Sequence, residues 1–78
     1  MKIYEGELTP DQIAAGLSVM KGRFNGSKVM KALRGAGVQN IISGAEVLIG
    51  REIRNGHIRR ITTGVYEENP DYRLAQSN

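Results

Sequence analysis

Lys28, Lys31 and Arg34 recur at three-residue spacing, and Arg51, Arg54, Arg59 and Arg60 follow as a second group around Asn55 and His57. Ammonium and guanidinium groups placed this way bind anions: phosphate oxygens or carboxylates. The pattern belongs to a wider asymmetry. Between Lys21 and Arg60 stand nine basic residues and only two acids, Glu46 and Glu52, giving that window +7. Residues 1–20 and 61–78 each carry −2, so the overall +3 is a basic centre between acidic ends. A concentrated positive field of this kind selects polyanionic partners, nucleic acid first among them. An acidic protein surface would satisfy the same groups.

The other chemistries lack their residues. His57 is the only histidine and cysteine is absent, so neither a nucleophile–base pair nor a thiolate metal site can be assembled. The acids lie mostly at the two ends, which disfavours a pair of carboxylates converging in a cleft. Gly35-Ala36-Gly37 has no Gly-Lys-Ser/Thr after it and reads as a helix stop, not a phosphate loop. No enzyme, cofactor or metal is expected. Apolar runs such as Val47-Leu48-Ile49 are far too short to cross a membrane, so no membrane partner is expected either. The lack of cysteine fits a cytoplasmic protein. With 78 residues the core is thin, and a homodimer is one way to reinforce it.

The elements that must position these cations are legible in part. Thr9-Pro10-Asp11-Gln12 combines an N-cap, a proline at N1 and a glutamine at N3, a capping box that opens a helix carrying Ile13, Leu17 and Met20 on one stripe. That helix should end near Gly22. Asn25-Gly26-Ser27 is a turn, and a second helix is expected over 27–36. Val29, Ala32, Leu33 and Ala36 form its apolar side, and Ser27, Lys31 and Arg34 lie opposite with Lys28 at the edge. In the second half, Asn55-Gly56 signals a two-residue hairpin turn between strands 46–54 and 57–66. This register sets Ile53 across from Ile58, Glu52 from Arg59 and Arg51 from Arg60. Ser43-Gly44-Ala45-Glu46 is also a capping-box pattern that could open a short helix over 44–50, but Gly50 and the β-branched Val47 and Ile49 favour strand. The core expected from these stripes is Ile13, Leu17, Met20, Val29, Leu33 and Val38, with one of Ile49 and Ile61.

Taken in chain order, LTPDQIAAGL, then SKVMKALRGAGV, then an arginine-bearing hairpin resembles the winged helix-turn-helix proteins, in the small form that phages and mobile elements encode. The matching residues are Ile13-Ala14-Ala15-Gly16-Leu17 in the supporting helix, and Ser27, Val29, Leu33, Gly37 and Val38 in the second. Two features depart from that family. The Gly22–Gly26 connection is longer than its usual turn, and the extra N-terminal helix is missing. The resemblance implies an α+β fold: two helices and a C-terminal two-stranded antiparallel hairpin, winged-helix-like, with a short N-terminal strand at Lys2–Glu5. One domain would span 1–66, with a polar tail over 67–78. It further implies a DNA-binding accessory or transcription-regulatory protein whose partner is double-stranded DNA. Helix 27–36 would read the duplex through Ser27, Lys28, Lys31 and Arg34. The wing would bring Arg51, Arg54, Asn55, His57, Arg59 and Arg60. The rival expectation is a protein-interaction module, such as a phage-encoded inhibitor or adaptor for an acidic protein surface.

Overall fold

The computed structural model describes residues 8–72. The strand expected at Lys2–Glu5 and residues 73–78 of the expected tail lie outside them. The architecture is α+β, with three helices packed on one face of a three-stranded antiparallel sheet.

Helix α1 spans Pro10–Ser18 and begins as its capping box dictates. Thr9 Oγ1 accepts from the Gln12 N–H at 3.1 Å, and Gln12 Oε1 accepts from the Thr9 N–H at 2.9 Å. Gly16 lies on its inward face, where an added methyl would run into Leu48 Cδ2 and crowd Leu33. The glycine that weakens the isolated helix is what lets α1 sit close to its neighbours. Strand β1, Arg23–Asn25, occupies the long connection after α1. Helix α2 follows at Gly26–Gly35, one residue earlier than expected, because Asn25 and not Ser27 is its N-cap: Asn25 Oδ1 accepts from the Lys28 N–H at 3.0 Å. The glycine stop forms as expected. Gly37 takes φ +86°, and the Gly37 and Val38 N–H groups donate to the Arg34 and Leu33 carbonyls, each at 3.0 Å.

The second half corrects the sequence reading. Residues 46–54 are not a strand; they belong to a third helix, α3, spanning Ile41–Arg54. Its N-cap is Asn40, whose Oδ1 accepts from the Ser43 N–H at 3.1 Å. Gly44, Ala45, Leu48, Ile49 and Glu52 are buried at helical spacing, and that packing overrides the strand preference of Val47 and Ile49. Asn55-Gly56 is therefore no hairpin turn. A type I′ turn needs positive φ at both central residues, but Asn55 sits at φ −87° and only Gly56 is positive, at +86°. The Gly56 and His57 N–H groups donate to the Ile53 and Glu52 carbonyls at 3.1 and 3.0 Å, the same glycine stop that ends α2. The pairings Ile53–Ile58, Glu52–Arg59 and Arg51–Arg60 accordingly do not exist.

The hairpin that does form joins β2, Ile58–Thr62, to β3, Val65–Glu68, through Thr63 and Gly64. Gly64 supplies the positive φ, +77°, that this turn requires. β3 is the central strand, flanked by β1 and β2 in the order β1-β3-β2. The β2–β3 register shifts between Arg60 and Thr62, leaving Ile61 as a bulge with 43% of its surface exposed. Met20, Val29, Leu33 and Ile49 are buried as expected, and Ile13, Leu17 and Val38 pack partly buried around them. Phe24, Ala45, Leu48, Ile58 and Tyr66 complete the core.

Candidate functional site

The ten residues singled out from the sequence fall into three environments. On α2, Ser27, Lys28, Lys31 and Arg34 are all exposed. Asn25 caps the helix, and the spacing of its buried Val29 and Leu33 turns these four outward. Lys28, Lys31 and Arg34 have no acidic partner among the described residues. Lys31, Arg34 and Ser27 line a groove of about 560 Å³ whose other wall is Ile41 and Ile42, in the first turn of α3.

The second environment is the sheet. Arg23, Glu67 and Arg59 are cross-strand neighbours on its outer face. Arg59 donates twice to Glu67 Oε1, from Nε at 3.0 Å and Nη2 at 2.7 Å, and Arg23 Nη2 lies 3.7 Å from Glu67 Oε2. The Arg59 hydrogen bonds, joined by the charges of Arg59 and Arg23, hold the Glu67 carboxyl below the usual carboxylate range. Arg60 is one residue on and faces the other way. It lies over the Tyr66 ring, 5.9 Å from Cζ to centroid, and Tyr66 stacks on Phe24 at 5.8 Å. Arg60 has no acidic partner among the described residues. It stands at the rim of a second groove, about 400 Å³, between α3 and the sheet. Ile42, Ile49, Gly50 and Ile53 of α3 line that groove, together with Glu46 and with Met30 of α2.

The third environment surrounds His57. The hairpin expected around Asn55-Gly56 would put His57 beside its turn; the structure puts the imidazole where α3 meets β2, with 14% of its side chain exposed. His57 Nδ1–H donates to Glu52 Oε1 at 2.7 Å, and Glu52 itself is 3% exposed. Burying a carboxylate is costly unless its lone pairs are occupied. Asn55 Nδ2 donates to Glu52 Oε2 at 3.1 Å, and Arg51 Nε lies 3.5 Å from the same oxygen. On the other side of the ring, Nε2 is 3.8 Å from Glu68 Oε2, and Tyr72 packs with its ring centroid 4.8 Å away. The Asn69 N–H donates to the His57 carbonyl at 2.8 Å, which closes the segment after β3 over the ring. The two carboxylates address opposite nitrogens of one ring and cannot grip a common ion, and no group of three or more metal-ligating side chains occurs among the described residues. Arg51, Asn55 and His57 thus work inside the fold, while Arg54 is exposed at the end of α3.

Lys31 and Arg34 line the groove beside the first turn of α3 and Arg60 lines the adjoining groove, the two sharing Met30 and Ile42, whereas Arg59 lies on the outer face of the sheet. Sequence reasoning missed Ile42 and Glu46, the exposed α3 residues that line these grooves. Ile42 lines both grooves and is 63% exposed. The signal that would have found them is Asn40 as an N-cap ahead of Ala45, Leu48, Ile49 and Glu52 at helical spacing.

In comparison with known proteins, no family model, no curated protein and no solved structure matches this chain. Among the described residues no helix is long and apolar enough to cross a membrane.

Proposed function

We propose that this chain binds double-stranded DNA in the manner of a winged helix-turn-helix protein, as a small accessory or transcription-regulatory factor. One observation carries the reading: Lys31 and Arg34 line a groove beside the first turn of α3, Arg60 lines the adjoining groove that runs on along the helix, and none of the three has an acidic partner among the described residues. A helix entering the major groove runs beside the phosphate rows, and cations alongside α3 suit that contact. The element order, with a strand between the first two helices and a hairpin after the third, supports the same family and accounts for the long Gly22–Gly26 connection. In this reading α2 is the phosphate-contacting helix and α3 the reading helix, which moves base recognition away from residues 27–36. The proposal includes a cytoplasmic location and, because duplex half-sites are commonly paired, a homodimer on its site.

An NMR titration of the full chain with short random-sequence duplex, at two salt concentrations, tests it. Shifts should concentrate on α2, the first half of α3 and Arg60. If Lys28, Lys31, Arg34, Arg54 and Arg60 each neutralise one phosphate, the log–log salt slope is about −4.5, from roughly −0.9 per contact. An absence of duplex binding at low salt sinks the proposal. One feature favours the second reading, a protein-interaction module for an acidic surface: the apolar floor of Met30, Ile49 and Ile53 beneath exposed Ile42. Under that reading, Ile42→Ala weakens binding to the partner protein more than Lys31→Ala does.

A further inference from the structure

Ile42 and Glu46 are the two exposed side chains that do not fit a surface built only to hold phosphate. Ile42 is the most exposed large apolar residue among those described, at 63%. Glu46 places a negative charge on the rim of a groove that also holds Arg60, and it has no basic partner among the described residues. An acid there repels the backbone and lowers sequence-independent affinity. Both residues are explained by contact with base edges. An aliphatic side chain packs on the 5-methyl of thymine, and a carboxylate accepts from the N4 amino group of cytosine.

We infer that Ile42 and Glu46 are the specificity-determining pair of this chain, and that they select a thymine and a cytosine in the major groove of its site. The inference rests on the duplex reading above and adds to it the bases recognised. The two residues are one helical turn apart on α3, so they share a face and are separated by about 6 Å along the axis. With base pairs stacked about 3.4 Å apart, that offset corresponds to roughly two base-pair steps. The preferred site therefore carries its thymine and its cytosine two steps apart when α3 lies along the groove. Arg60 and the α2 cations, which line grooves that Ile42 shares, would hold the helix by phosphate contacts.

The test uses the full chain, a selection from randomised duplexes, and competition anisotropy on the selected site. Replacing the contacted thymine by deoxyuridine removes only the methyl, and wild-type affinity should fall about fourfold, the value of one buried methyl. Ile42→Ala should bind the two duplexes equally. Glu46→Gln should move the preference at the second position from cytosine to adenine, with a change of about tenfold in the ratio, since glutamine pairs with adenine N6 and N7. Duplex binding whose base preference is untouched by both variants overturns the inference and leaves the duplex reading standing. Failure of the wild-type chain to bind any duplex at low salt overturns both. Circular dichroism of the two variants, each changed at a solvent-facing position, separates a lost contact from a lost fold.

Discussion

Lys31 and Arg34 on α2 have no acidic partner among the described residues, whereas Arg59 and Arg23 on the sheet share one carboxylate, Glu67, and Arg51 leans on buried Glu52. All five lie in the same basic stretch of sequence. Their difference shows that a +7 window is not a uniform surface. Part of it is engaged in ion pairs within the fold, and part has no acidic partner among the described residues. Surface ion pairs contribute little to stability, but they decide which cations remain available at an interface. The charges of α2 pair with no described acid; the cross-strand register of β1, β3 and β2 puts two arginines on either side of one glutamate.

The sharpest test of that division is Glu52→Ala. It strips the His57 Nδ1–H and Asn55 Nδ2 of their acceptor in a part-buried setting and should cost about 1–3 kcal/mol, read by urea denaturation. Next comes the double variant Lys31→Ala with Arg34→Ala. Stability should stay within about 0.5 kcal/mol, as for ordinary surface changes. Duplex affinity at moderate salt should drop at least about tenfold, and the salt slope should flatten by about 1.8. Equal loss for the internal and the exposed groups would erase the comparison. Within the sheet, Arg60→Ala should weaken duplex binding by about threefold to fivefold, and Arg59→Ala by less than about twofold, because Arg59 is already engaged.

The smallest effect concerns Glu67. Its carboxyl is held below the ordinary range, so its pairing with the arginines is complete at neutral pH and is lost as the pH falls through the acid range. Glu67→Gln should mimic the acid form at neutral pH, release both arginines and raise duplex affinity slightly. Measured across pH 3–6, the variant should lack the acid-side change in Arg59 chemical shifts that wild type shows.

The first half was legible in the sequence because its signals are local. Thr9-Pro10-Asp11-Gln12 satisfies its own helix terminus, and Gly37 ends α2 whatever else the chain does. The second half was not, because Asn55-Gly56 serves two structures equally well. A glycine with positive φ stops a helix and turns a hairpin, and what decides between them is the packing of Ala45, Leu48 and Ile49 against Leu33 and Val29, a tertiary fact. The same error displaced the candidate site. With only 46–54 read as an element, and as a strand, Ile42 lay outside the element that held Glu46, Arg60 was set against Arg51, and His57 was put beside a hairpin turn, although its ring lies against Glu52.

The bulge at Ile61 has a consequence for how copies of this protein meet one another. β2 lies at the edge of the sheet, and a straight edge strand offers its unpaired backbone to any other strand that drifts past. At Ile61 the ladder slips by one residue, which bends β2 and interrupts the row of donors and acceptors on its outer side. Arg59 and Arg60, next along the strand, add like charge to any second copy approaching that edge. One irregular residue thus makes the β2 edge a poorer template for a second strand.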